Sequence, residues 1–329
     1  MLRSLLRYHP RIGYTYIPGI KSRVPHESGG YLIKVNEQGF RSNYNFAEKK
    51  NGREFRILLF GDSQTAGDGV SNGERYGDIL EELIPNLTAY NFGIPGSGTD
   101  QQFLAYQEYA RRIEHDLLVI SVYLENIGRV AGRYRPFSDE KGDVFLYAKP
   151  YYELHDGQLV LKGIPVPREP LDPSALKRED ARHVHWGVPY PRLRQFMKKL
   201  GLRDFMQRMV RFQPVPEYNH AGNPKWILLR AILEQWIKSS KVPVLLVPIP
   251  VHTFIEETSD PTAYLKRFAE LVDVAGCHYH DPLPDFKKYP KEVRRQFRFK
   301  MDNHLTPEGH RALAGSLSPA IRKILGIRT

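Results

Sequence analysis

Two groups of residues, far apart in the chain, have the types needed for attack on a carbonyl carbon. Ser63 stands in Phe60-Gly61-Asp62-Ser63-Gln64-Thr65, directly after an apolar run. A hydroxyl is a weak nucleophile until a neighbouring base takes its proton. A base of the right kind lies near the other end of the chain, in Asp302-Asn303-His304-Leu305-Thr306-Pro307. An imidazole titrates near neutrality, and a carboxylate two residues earlier can fix its tautomer. Residues i and i+2 of extended backbone point the same way, so the pairing is sterically possible. Each group also has a plainer alternative: a turn serine serving nearby backbone donors, and an aspartate capping a turn beside a solvated histidine.

Such residues act only if a rigid frame brings them together. Phe55 to Phe60 is a compact apolar run cut off by Gly61, the pattern of a buried strand. Tyr76, Ile79, Leu80 and Leu83 then mark one face of a helix stopped by Pro85. The alternation repeats: a strand near 87–92, a turn through Gly93-Ile-Pro-Gly96-Ser-Gly98, a helix opened by Thr99 with Gln102 completing a capping box, and a strand at Leu117 to Val122. Strand and helix in alternation are the grammar of a parallel sheet with right-handed crossovers. From about Gly132 to Pro224 this grammar lapses into an insertion rich in proline, charge and aromatics, with a hairpin turning at Asp156-Gly157. It resumes with a helix at 226–239, a strand at 242–248, a helix at 262–275, a short strand near 277–279, and a last helix from Pro307. Thr306 before Pro307 reads as the N-cap of that helix, which leaves His304 in the loop feeding it. Residues 1–54 read as an irregular arm with short strands such as Gly30 to Val35, packed on a main domain of residues 55–329.

Four separated blocks now stand in order: Gly61-Asp62-Ser63, then Asn91-Phe92-Gly93-Ile94-Pro95-Gly96, then Asn126 after the third strand, then Asp302 and His304 before the last helix. In this order and spacing the chain resembles the SGNH hydrolase superfamily, the GDSL esterases and lipases, over about residues 56–322. The one-residue spacing of Asp302 and His304 is similar to its polysaccharide-modifying bacterial members. The resemblance implies a flavodoxin-like three-layer α/β/α sandwich with a central parallel sheet. It implies Ser63 as nucleophile, His304 as base and Asp302 as its orienting carboxylate, with an oxyanion hole from the Ser63 and Gly96 backbone N–H groups and the Asn126 amide. Three donors suit acyl transfer, because charge develops on the carbonyl oxygen. Glycine at 96 suits it too, since a side chain there would obstruct the acyl group. Gln64 stands where many members have leucine, and the Asn126 block lacks the usual flanking Gly and Asp.

The implied activity is ester hydrolysis through an acyl-enzyme, removing a small O-acyl group from a carbohydrate or related metabolite, with no cofactor and no metal. An O-acyltransferase using the same residues and a catalytically silent glycan-binding module are the alternatives. The aromatics of the insertion, Tyr147, Tyr151, Tyr152, Trp186 and Tyr190, either stack on a sugar or fill a small core. Gly93, Gly96 and Gly98 reverse the dinucleotide-binding spacing, and the pairs His183/His185 and His278/His280 lack further ligands. His310, inside the last helix, is expected to pack or to be solvated.

The formal charge of +11 suits a polyanion, yet the basic residues are scattered and form no nucleic-acid module, so a basic surface is the reading. Cys277 is the one cysteine and forms no internal disulfide. No run approaches the roughly 18 apolar residues of a membrane span. The start offers too few apolar residues before Arg7 for a secretory signal, so a cytoplasmic location is expected unless a leader has been trimmed away.

Overall fold

The runs that are apolar on both faces are strands covered by helices above and below, which removes all their side chains from water. The computed structural model describes residues 3–52, 54–138, 143–176, 181, 183–184 and 213–328. The arm forms two antiparallel hairpins, β1 (Leu6–His9) with β2 (Gly13–Tyr16), and β3 (Lys21–Val24) with β4 (Tyr31–Lys34). There follow β5 (Phe55–Phe60), the single turn α1 (Ser63–Ala66), α2 (Tyr76–Leu83), β6 (Leu87–Asn91), α3 (Thr99–Ala105) and β7 (Leu117–Tyr123). A 3₁₀ segment, Leu124–Ala131, leads to two further hairpins, β8 (Tyr134–Ser138) with β9 (Val144–Ala148) and β10 (Tyr151–His155) with β11 (Gln158–Lys162). Then come α4 (Pro224–Ser239), β12 (Val244–Ile249), α5 (Thr262–Ala275), β13 (His278–Tyr279) and α6 (Pro307–Leu325).

The central sheet has the order β13-β12-β7-β5-β6, and all its pairings are parallel. Counted from β5, this is the flavodoxin-like order, with the chain running first to one side and then to the other. β5 therefore lies at the switch point, where crossovers on opposite faces leave a crevice beyond its carboxyl end. Ser63 is placed there. Helices α2 and α6 pack together, as α4 does with both α3 and α5. Phe60 stacks on Phe92 at 4.8 Å and meets Trp236 of α4 edge-on at 5.3 Å, so strand ends and helix share one core. Leu5, Leu6, Ile12, Tyr14 and Tyr16 of the arm are buried in that core as well.

The arm holds four strands of four residues each, set in irregular chain and too short to leave a periodic signal. Two local expectations are corrected. The N-cap of α3 is Gly98, not Thr99, and Gln101 Oε1 rather than Gln102 accepts the Gly98 N–H at 3.2 Å. Gln102 donates instead to Ser97 Oγ at 3.1 Å. Leu83 is exposed where the helix pattern places it inward, because α2 ends there. No helix among the described residues is long and apolar enough to cross a membrane.

Candidate active site

Ser63 is the first residue of α1, and Asp62 caps the turn by accepting the Gln64 N–H at 3.0 Å. Starting a helix leaves the Ser63 N–H without an intrahelical acceptor. Among the described residues neither it nor the Gly96 N–H donates to another group. The second block is fixed against the first. Asn91 donates to Thr65 O at 2.7 Å and accepts the Gly93 N–H at 2.9 Å. Gly93 is obligatory, since a Cβ there would stand 2.3 Å from Ala66 N. Tyr14 of β2 reaches across to Pro95 O at 2.9 Å. Gly96 has φ +75°, and a Cβ on it would strike the Arg135 guanidinium at 2.5–2.8 Å. Its glycine thus answers to backbone conformation and to the closeness of Arg135.

Asp302 Oδ1 accepts both the His304 backbone N–H at 3.1 Å and Nδ1–H at 2.6 Å. The short spacing closes a local turn that holds the ring, and Nε2 is the nitrogen left for another partner. Burial would raise the Asp302 carboxyl, but the hydrogen bond and charge of His304 outweigh it and hold it far below the usual carboxylate range. Burial likewise opposes the His304 cation, yet the Asp302 bond and charge, with Asp68 and Asp62 behind, raise the imidazole above its ordinary value. No hydrogen bond joins Ser63 to His304, whose side chain bonds to Asp302 through Nδ1.

The loop carrying His304 is held from several elements. Gln64, the residue after Ser63, donates to Asn303 O at 3.1 Å and accepts the Leu305 N–H at 3.2 Å, bracketing His304. His252 Nε2 donates to the same Asn303 carbonyl at 2.6 Å. Glu27 of the arm accepts the Met301 and Asp302 N–H groups, each at 2.8 Å. His26 Nε2 lies 3.4 Å from Asp302 Oδ2, while its ring packs edge-on to Phe299.

Asn126 follows β7 in the 3₁₀ segment and donates through Nδ2 to Asp62 Oδ2. One N–H of that amide is therefore committed to the residue before Ser63, and the second remains. Arg129 Nη1 lies 3.5 Å from the same Asp62 oxygen and donates to Ser97 O at 3.1 Å. Asn303 Nδ2 meets Glu125 Oε2 at 3.4 Å, which ties this block to the loop of His304.

The structure thus brings Ser63, Gly96, Asn126, Asp302 and His304 to one end of the sheet. Sequence reasoning missed Gln64, Glu27, His26, Asp68 and Arg135. Only Gln64 gave a signal, as a polar residue where leucine is usual. Tyr152 is buried and lies 6.2 Å from Phe103, Tyr147 meets Phe137 edge-on, and Arg133 sits over Tyr151. Trp186, Tyr190 and His185 lie outside the described residues. His280 Nε2 is 2.7 Å from Ser316 Oγ. Buried His310 accepts the Tyr76 N–H on Nδ1 at 3.2 Å, and burial reinforced by Arg75 pushes it down to about 3. Among the described residues no group of three or more His, Cys, Asp or Glu is placed to hold a metal ion.

Residues 57–140 match the family model of GDSL-like lipase/acylhydrolase. No curated protein matches the chain. Solved structures similar to it include a member of the lipolytic protein G-D-S-L family from Veillonella parvula DSM 2008, at 12% identity and TM-score 0.41 over 82% of this chain and 99% of that one. A lipase/acylhydrolase from Enterococcus faecalis has 14% identity and TM-score 0.43, over 82% of this chain and 96% of that one. An acetyl xylan esterase has 14% identity and TM-score 0.43, over 81% of this chain and 100% of that one.

Proposed function

We propose, from the premise that this chain is a GDSL-type carboxylic ester hydrolase, that it works through an acyl-enzyme on Ser63 and removes a small O-acyl group from a carbohydrate or related metabolite. The observation that carries the mechanism is the bridge of Gln64, which couples the turn of Ser63 to the backbone on both sides of His304. Residues some 240 positions apart in sequence are joined by one side chain.

In the first half-reaction Ser63 Oγ bonds to the ester carbonyl carbon as His304 Nε2 takes its proton. Negative charge collects on the carbonyl oxygen, within reach of the Ser63 and Gly96 N–H groups and the second N–H of Asn126. The C–O bond to the alcohol then breaks, and the imidazolium returns its proton to the leaving oxygen. Water repeats the sequence with His304 as base, freeing the acid and restoring Ser63. Asp302, held ionised, keeps Nδ1 protonated and stabilises the imidazolium.

The test is a panel of p-nitrophenyl acyl esters of rising chain length alongside acetylated sugars, with fluorophosphonate labelling read by intact mass. Wild type is expected to prefer short acyl groups and to take one label, and Ser63→Ala to lose both activity and label. Equal labelling of the two proteins removes Ser63 from the mechanism, and a preference for long acyl chains removes the carbohydrate reading.

A further inference from the structure

Arg135, on β8 at the start of the inserted segment, lies against Gly96. Its Nη2, Cζ and Nε stand 2.5, 2.8 and 2.8 Å from where a Cβ on Gly96 would be. The guanidinium therefore occupies the space beside a backbone N–H that the proposed mechanism uses. Nε is buried with no hydrogen-bond partner. The two terminal nitrogens also bond to no described residue, but unlike Nε they keep access to solvent. Nη2 and Nε thus both face Gly96, and neither bonds to a described residue.

The guanidinium also lies over the Phe137 ring, with Cζ 5.9 Å from the centroid. Of the nearby carboxylates, Asp62 serves Arg129 and Asn126, and Asp100 is bonded to Lys149. No carboxylate among the described residues pairs with Arg135. Arg129 is pushed down to about 10 by burial and by the charge of Arg135, and Lys149 feels the same charge. Arg129, Arg135 and Lys149 thus gather near Asp62, Asp100 and Glu125, and Arg135 is the one of the three cations left without an ion pair among the described residues. Two free terminal nitrogens of one guanidinium match the two coplanar oxygens of a carboxylate.

We infer that Arg135 is a substrate-binding residue that takes a carboxylate carried by the ester, beside the carbonyl held at Gly96. This rests on the ester hydrolase reading for the position of the carbonyl. The carboxylate has two sources: the acyl part, as in the half-ester of a dicarboxylic acid, or the alcohol part, as in an acylated uronic acid.

Two matched pairs separate the sources. One compares p-nitrophenyl hydrogen glutarate with p-nitrophenyl valerate, the other O-acetylated galacturonate with O-acetylated galactose. In one pair wild type is expected to favour the charged member in kcat/KM. Arg135→Gln should lower that charged-to-neutral ratio by about 10- to 100-fold, the loss of a charge-assisted pair. Arg135→Lys, which keeps the charge but not the fork, should fall between and serves if the glutamine variant does not fold. Calorimetric binding of glutarate and of galacturonate to wild type and to both variants supplies a readout independent of turnover. One of these acids should bind wild type and lose affinity by a similar factor in Arg135→Gln. Ratios that Arg135→Gln leaves unchanged, or equal losses on charged and neutral esters, overturn the inference, as does binding of neither acid by wild type. If wild type hydrolyses none of the four esters, the hydrolase reading fails and the binding measurement alone decides the role of Arg135.

Discussion

His304 must be neutral to accept a proton, so kcat/KM should rise with pH as its imidazolium dissociates. The raised His304 places that limb at higher pH than a free imidazole. Removing the carboxylate removes the main group favouring the cation, so Asp302→Asn should move the limb to lower pH and lower the plateau, by as much as about 10⁴-fold. A pH–rate profile of both proteins decides this, and a limb unmoved by the substitution would assign it to another group. Asn126 presents a sharper choice, because one N–H of its amide already serves Asp62. If the other serves the oxyanion, Asn126→Ala should lower kcat by about 10²- to 10³-fold with KM nearly constant. A variant with lowered thermal stability but near wild-type kcat would leave Asn126 a structural tie to Asp62. The candidates at 63, 96, 126, 302 and 304 could be singled out in sequence because four short blocks stand there in a recognisable order and spacing. Arg135 was not legible, since its meaning comes from standing against Gly96 of a distant turn.

At the level of elements, what sequence conveyed well was whatever repeats. β5, β7 and α5 announce themselves through continuous or 3.6-residue apolar patterns, and their bounds fall where those patterns end. The arm conveyed little, because short hairpins rich in Gly, Pro and Tyr have neither period, and because its role is a contact with residues 301–302 on the far side of the sequence. That contact is testable. Glu27 accepts two backbone N–H groups directly before His304, so Glu27→Ala should loosen Asp302 and His304 together. A misplacement of about 1 Å costs on the order of 10²-fold in rate. The expected outcome is therefore a kcat lowered by at least about 10-fold, with Glu27→Gln, which keeps an acceptor, recovering part of it. A kcat within twofold of wild type for the alanine variant would show that Gln64 and His252 hold the loop unaided.

For the molecule as a whole, stability should depend on His310, which the last helix buries against Tyr76. Its folded-state pKa lies near 3, against 6.5 for the ordinary side chain. The unfolded chain thus binds a proton that the folded one refuses, and the neutral histidine's contribution is complete above about pH 6.5 and is lost as pH falls toward 3. One such proton corresponds to a slope of about 1.4 kcal/mol per pH unit. His310→Gln, which can still accept the Tyr76 N–H, should flatten denaturant-measured stability across that window by up to this slope, and an unaltered slope would place the acid sensitivity elsewhere. The Gln64 bridge has a consequence of a different kind, in the order of synthesis. Ser63 and its partners in the second block leave the ribosome well before Asn303 and Leu305, which follow Gln64 by 239 and 241 residues. A nascent chain therefore carries Ser63 before His304, and the proposed turnover waits until residues 302–305 have emerged and reached Gln64.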